Sequence, residues 1–275
     1  MKKKHLKIAA LVVALAMIAG LCLFANALVG NPVSKALASR AARARLAEHF
    51  SGTDYVLDEV NYSFKDGNYY AHFSSPTSVD GDFSMAFTGV GKLLWDSYED
   101  WVLSGENTRA RLSKEYRDLV DAALEGPSSP LPVDFGGGDL ELWSREIVEL
   151  ELDDTPDYAL ITEELEVDGI YDVRALGAQA GHLSYYLEVD DPSAESLAHW
   201  LLEIRRMMDA AGVPFVDIDL SLRYPMNEDG TRTDCDVYVL SFPYEDIYEE
   251  GLVQRAEEAN RAAIAYYARL DAQKK

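Results

Sequence analysis

The sequence predicts an α+β protein with an N-terminal transmembrane helix followed by two small α+β domains with largely antiparallel sheets. Three observations predict it. An apolar run near the N-terminus is long enough to cross a bilayer. Beyond it, segments with an apolar residue at every second position, typical of strands, alternate with segments of helical spacing. A stretch rich in proline, serine and glycine at residues 127–138 separates these segments into two groups.

The apolar run covers residues 8–29 and is interrupted only by the uncharged Asn26. At about 1.5 Å per residue it reaches about 33 Å, and the hydrocarbon core of a bilayer is about 30 Å thick. Four lysines precede the run: Lys2, Lys3, Lys4 and Lys7. The positive-inside rule therefore places residues 1–7 in the cytoplasm. We expect a single-pass protein of the cell membrane that contacts the bilayer through residues 8–29, with its C-terminal domains extracytoplasmic.

A cleaved signal peptide is the alternative to this anchor. Ala25-Asn26-Ala27 has the small-x-small form of a cleavage site. The apolar stretch before it is longer than a usual signal-peptide core, which favours an uncleaved signal-anchor. A lipid-modified Cys22 is disfavoured, because the bulky Leu21 directly precedes it. Cys235 is the only cysteine beyond the run, so no disulfide can form within the domains.

The part of the chain beyond the run is strongly acidic. Four of the 25 basic residues precede the run, so the remaining 21 accompany 48 acidic residues, a net charge of −27. A field of this sign repels phosphate backbones, so we expect no nucleic-acid partner. The charge can attract a cationic peptide or metal ions, or it can serve only to keep the domains soluble.

The first domain is predicted over residues 30–126 as a helix, antiparallel strands and a second helix. Asn31-Pro32-Val33-Ser34 is typical of a helix start, with Ser34 available as a cap. Asp66-Gly67 supplies a hairpin turn in which glycine accepts a positive φ. Two apolar stripes are predicted: Leu37, Ala41, Ala44 and Ala47 on the first helix, and Leu112, Tyr116, Leu119 and Ala123 on the second. The strands are predicted at 60–64, 69–73, 83–87 and 92–98.

The second domain is predicted over residues 139–275, after a flexible linker at 127–138. An acidic alternating segment at 148–152 is typical of a strand with one solvated face. Further strands are predicted at 183–189, 216–224 and 235–242, with helices at 193–211 and 252–270. This order predicts helices that cover one face of a mixed or antiparallel sheet.

Three segments carry a resemblance to a known family: Asn31-Pro32-Val33-Ser34-Lys35, the hairpin Lys65-Asp66-Gly67-Asn68-Tyr69-Tyr70, and residues 244–252. With these the chain resembles the YfjL-like membrane-anchored proteins of Gram-positive bacteria over nearly its whole length. The resemblance implies a membrane anchor and two extracytoplasmic domains, and no activity. In element order the first domain is also similar to PepSY-type modules, which implies a regulatory role.

No residue pattern identifies a catalytic, cofactor-binding or metal site, and we expect no cofactor. The histidines after the apolar run are far apart in the sequence: His49, His72, His182 and His199. The acids in 244–250 precede a helix, where negative charge is favourable without any catalytic role. The sequence favours a non-enzymatic binding or regulatory module with a possible protein partner at the cell surface. The alternative is a membrane-tethered hydrolase that uses carboxylates, for which buried convergent acids in a cleft would be evidence.

Overall fold

The computed structural model describes residues 2–126, 129–150, 155–235 and 237–273, without the side chains of residues 2–4, 6–10, 19, 22, 23 and 273. The chain divides into two compact units. Unit 1 comprises Met1–Thr108 and Glu166–Asp168, and unit 2 comprises Arg109–Leu165 and Gly169–Lys275. Both are mixed α+β structures with antiparallel strand pairing, which confirms the two α+β domains of the predicted fold class.

Unit 1 contains an antiparallel four-stranded sheet in the order β1-β2-β3-β4. Helix α2 packs on one face of this sheet. The elements are α1 (Lys2–Val29), α2 (Pro32–His49), β1 (Val56–Ser63), β2 (Asn68–Ser74), β3 (Phe83–Phe87), β4 (Leu93–Asp96), a π-helix (Tyr98–Leu103) and the start of α3 (Glu106–Leu124).

The predicted membrane helix of residues 8–29 lies within α1, which begins at Lys2 and forms one continuous helix. Its large apolar side chains between Leu11 and Val29, so far as they are described, are 49% to 75% exposed. Within the part of the chain that the structure describes, no helix meets both the length and the apolarity that a membrane crossing requires.

Helix α2 begins as predicted, but its cap and its buried stripe differ from the prediction. Asn31 is the cap, because its side chain accepts a hydrogen bond from the Ser34 N–H at 2.7 Å. The fully buried residues are Ala38 and Ala42, while Leu37 is 41% exposed. The predicted stripe is therefore displaced by one residue. Small side chains let the helix approach the sheet closely, and the larger Leu37 points away from it.

Unit 2 is built on a mixed four-stranded sheet in the order β10-β9-β8-β5. Strands β8 and β9 are parallel, and the two outer pairs are antiparallel. Its further elements are β5 (Val133–Leu140), β6 (Leu142–Trp143), α4 (Arg145–Glu149), β7 (Leu160–Ile161), α5 (Val173–Ala180), β8 (Gly181–Glu188), α6 (Ala194–Ala211), β9 (Asp217–Arg223), β10 (Val237–Pro243) and α7 (Leu252–Gln273).

The predicted linker at 127–138 needs correction, because residues 133–138 belong to β5. A β-carbon at Gly136 would lie 2.3 Å from the Tyr185 ring on β8, and one at Gly138 would lie 2.6 Å from Val120 on α3. The glycines that indicated flexibility therefore permit close packing.

Two further sequence predictions differ from the structure. Residues 148 and 149, predicted as part of a strand, belong to α4, and residues 151–152 of that predicted strand lie outside the described residues. The second helix, assigned from the sequence to the first domain, contributes Leu112, Tyr116 and Val120 to the core of unit 2. The boundary between the units lies inside α3, between Thr108 and Arg109.

Candidate functional site

A pocket of about 460 Å³ opens on the sheet of unit 1. Its floor contains His72 of β2 and Ser84 of β3, which alternate along their strands with the buried Phe73 and Phe83. The Ser84 Oγ and the His72 Nδ1 are 2.8 Å apart, a hydrogen bond that fixes both side chains. The size is within the range of ligand-binding pockets.

Two tryptophans contribute the aromatic part of this pocket, Trp95 of β4 and Trp101 of the π-helix. They are 42% and 45% exposed, so their rings are accessible to a ligand. The backbone N–H of Trp101 donates to the Ser97 carbonyl at 2.9 Å. The Ser97 N–H donates to the Ser84 carbonyl, and the Ser84 N–H donates to the Ser97 hydroxyl. The tryptophan on the π-helix is therefore connected to the floor through the backbone.

Two carboxylates, Asp58 and Asp82, give the pocket a negative charge. Burial raises the pKa of Asp82, and repulsion by Asp58 raises it further. The Asn107 side chain donates to the Asp82 carbonyl at 2.7 Å, which holds the backbone of that residue at the pocket. Among the described residues, no basic side chain forms an ion pair with either carboxylate. A ligand cation would relieve this repulsion.

A second group of ionisable side chains lies at one end of the unit 2 sheet. The parallel register places His182 of β8 beside Asp217 of β9, and the His182 Nδ1 lies 2.6 Å from the Asp217 Oδ1. The other ring nitrogen, Nε2, lies 3.8 Å from the Asp219 Oδ2. Tyr158 hydrogen-bonds to Asp217, and Glu141 accepts a hydrogen bond from the Trp143 indole. We call His182, Asp217, Asp219, Glu141 and Tyr158 the His182 cluster.

Glu141, Asp219, His182 and Tyr158 of this cluster retain protons more strongly than isolated side chains would. Burial raises the pKa of both Glu141 and Asp219. Burial alone would lower the pKa of His182, but the hydrogen bond to Asp217 and the attraction of the neighbouring carboxylates outweigh it, so that pKa is raised. Burial and the bond to Asp217 raise the pKa of Tyr158.

The sequence singled out no site residue, and the four histidines after the apolar run occupy different surroundings. His72 lies in the pocket of unit 1 and His182 in the cluster of unit 2, while His49 and His199 are exposed. The sequence feature that could have pointed to these sites is the alternation of polar with apolar residues along the strands that carry His72, His182 and Asp217. Across the described ranges, no group of three or more histidine, cysteine or acidic side chains is arranged to hold a metal ion.

The two units define a two-domain α+β protein. Residues 2–97 match the model of the YfjL-like N-terminal domain, and residues 115–257 match that of the YfjL-like C-terminal domain. The chain belongs to the YfjL-like family, as its resemblance implied. No curated protein and no solved structure matches it. The likeness of the first domain to PepSY-type modules stays a prediction.

Proposed function

We propose that this protein is a membrane-anchored extracytoplasmic module that binds a lysine or arginine side chain of a partner protein in the pocket of unit 1. The observation that carries the proposal is the combination of two exposed tryptophans with the carboxylates Asp58 and Asp82. Cations bind favourably over the faces of tryptophan rings, and a carboxylate adds a charged partner. The net charge of −27 beyond the apolar run favours approach of a cationic partner.

The proposed anchor is supported by the sequence of residues 8–29 and by the exposure of the described apolar side chains of α1. A contiguous apolar surface of this kind is typical of a segment that contacts lipid or another protein, and we propose lipid. The lysines before the run support an extracytoplasmic position for both units.

Binding can be tested with a short lysine peptide titrated into the full chain in detergent micelles, followed by calorimetry. We expect saturable binding that weakens as salt is added, because the attraction is electrostatic. Asp82→Asn and Trp101→Ala should each lower the affinity, by roughly 2-fold to 30-fold for the loss of a cation–π contact or an ion pair of about 0.5–2 kcal/mol. Asp118→Asn is a matched control, since Asp118 is an exposed acid of unit 2.

Affinity that is unchanged in Asp82→Asn and Trp101→Ala would exclude the pocket as the site. An equal loss of affinity in Asp118→Asn would mean that the peptide responds only to the overall charge.

A carboxylate-dependent hydrolase is the second candidate function, and the His182 cluster favours it by placing Glu141 and Asp219, both with raised pKa, beside an imidazole. However, both ring nitrogens of His182 face carboxylates, and Asp217 is only 5% exposed. The imidazole and the carboxylates of the cluster are paired with one another, which leaves neither ring nitrogen of His182 directed at a substrate. The binding function therefore has the stronger support.

A further inference from the structure

The junction between α1 and α2, here called the corner, is a tight connection within unit 1 that is held by hydrogen bonds to the sheet. Only Gly30 and Asn31 separate the two helices. The Tyr62 hydroxyl donates to the Ala27 carbonyl at 3.0 Å, and the Asn31 N–H donates to the Tyr69 hydroxyl at 3.0 Å. The sheet therefore holds the last turn of α1 and the first turn of α2 together.

Gly30 is required at this corner. Its φ is +70°, and a β-carbon there would lie 2.7 Å from both the Tyr62 ring and the Tyr69 hydroxyl. Because strands β1 and β2 fix both sides of the junction, the direction of α2 relative to the end of α1 is set by the fold.

The face of α2 that points away from the sheet carries both apolar and basic side chains. Ala38 and Ala42 face the core, so residues about half a turn away face outward. Val33 is 69% exposed and Leu37 is 41% exposed. Three exposed basic residues belong to the same helix: Lys35, Arg40 and Arg43.

The charge of this helix is opposite to that of the rest of the protein. Residues 30–49 contain four basic residues against the single acid Glu48, whereas the chain beyond the apolar run carries −27. This basic helix is joined by a fixed corner to an apolar helix, and basic residues close to a membrane-inserted helix are attracted by anionic lipid headgroups.

We infer that the outward face of α2 lies on a membrane surface that contains anionic headgroups. Val33 and Leu37 contact the acyl boundary, and Arg40 and Arg43 bind lipid phosphates. This inference rests on the proposed membrane attachment through α1, and it assigns to α2 the task of orienting unit 1 at the lipid surface.

The test uses the full chain in nanodiscs of phosphatidylcholine, with or without phosphatidylglycerol. An environment-sensitive fluorophore is placed on Leu37→Cys or on Val79→Cys, with Cys22 and Cys235 replaced by serine. Val79 is 73% exposed and follows β2, at the end of that strand away from the Tyr69 contact. We expect the probe at Leu37 to shift to an apolar environment when phosphatidylglycerol is present, and the probe at Val79 to remain in water.

Replacing the two arginines tests whether α2 is held at the membrane by contacts with anionic headgroups or is only near the membrane because α1 is inserted. Each basic residue near an anionic surface changes the docking equilibrium by roughly fivefold, so Arg40→Gln with Arg43→Gln should weaken docking about 25-fold. The matched control is Arg261→Gln with Arg269→Gln, which removes the same charge from exposed positions of α7. We expect that control to leave the Leu37 signal unchanged.

The outcomes distinguish the two proposals. A chain that fails to co-purify with nanodiscs of either composition would overturn the anchor and the inference together. A chain that enters the nanodiscs while its Leu37 probe stays in water would overturn the inference and leave the anchor intact. A Leu37 signal that is insensitive to loss of Arg40 and Arg43 would exclude anionic headgroups as the partner.

Discussion

His182 faces carboxylates that come from different elements. Asp217 and Asp219 extend from β9, Glu141 follows β5, and Tyr158 belongs to the segment before β7. The Asp219 carboxylate also accepts a hydrogen bond from the Ser241 N–H of β10 at 2.7 Å. The cluster therefore connects strands across the sheet, and its charge depends on the proton held by the imidazole.

The pH dependence of unit 2 stability follows from these groups. The folded cluster holds more protons than the unfolded chain, so the free energy of unfolding falls as pH rises. The contributions of Glu141 and Asp219 decline above their ordinary pKa values of 4.5 and 3.8. The contribution of His182 is complete below pH 6.5 and is lost as pH rises through its raised pKa. In the wild type, the free energy of unfolding should decline above pH 6.5. We expect His182→Gln to lack this decline, as measured by urea unfolding across that pH range.

His199→Gln is the control for that experiment, because His199 is an exposed histidine of the same unit. It should follow the wild-type profile. The release of one proton can change the free energy of unfolding by at most about 1.4 kcal/mol per pH unit. Parallel profiles for His182→Gln and the wild type would show that the imidazole does not take up this proton.

The structure of α7 agrees with the prediction that it packs on the sheet. The helix contacts β10 and α6, and Leu252, Ala256 and Ala263 are buried. Ala263→Leu should overpack this contact and lower the free energy of unfolding by about 1–3 kcal/mol. Ala262→Leu is a matched control on the exposed side of the helix, with nearly the same helix propensity. Equal unfolding midpoints for the two variants would contradict a packing role for α7.

Sequence periodicity predicted most elements but not always which side of an element is buried. The spacing of α2 allowed two neighbouring stripes, and the choice of Ala38 and Ala42 depends on how closely the helix approaches the sheet. Gly136 and Gly138 indicated a linker because glycine is common in flexible segments. Their actual role depends on Tyr185 and Val120, which are distant in the sequence.

The site residues were less predictable than the elements. His182 and Asp217 are 35 residues apart, and only the parallel pairing of β8 with β9 brings them together. The pocket of unit 1 likewise combines all four strands of the sheet with the π-helix, whose sequence carries no distinctive spacing. Neither arrangement follows from local pattern, because each depends on pairing between distant segments.

At the scale of the whole chain, composition suggested a division at residues 127–138, whereas the compact units divide within α3. The family models leave the interval 98–114 between them, and that interval contains the boundary. A continuous helix can belong to two units without any change in composition. Proline and glycine content therefore could not locate this boundary.

This division predicts how separate fragments fold. Leu112, Tyr116 and Val120 are fully buried in the core of unit 2, and the Tyr116 hydroxyl donates to the Pro214 carbonyl at 2.9 Å. A fragment of residues 127–275 lacks all three side chains. Loss of each large core side chain costs about 2–5 kcal/mol, and a whole domain is stable by only about 5–15 kcal/mol.

We therefore expect a fragment of residues 105–275 to unfold cooperatively, and a fragment of residues 127–275 to lack a cooperative thermal transition. Differential scanning calorimetry of both fragments, with near-ultraviolet circular dichroism, measures this directly. Two variants of the 105–275 fragment provide the controls: Tyr116→Ala should lower its unfolding midpoint, and His199→Gln, at an exposed position, should leave the midpoint unchanged. A cooperative transition in 127–275 with the midpoint of 105–275 would show that α3 lies outside the folding unit of the C-terminal sheet.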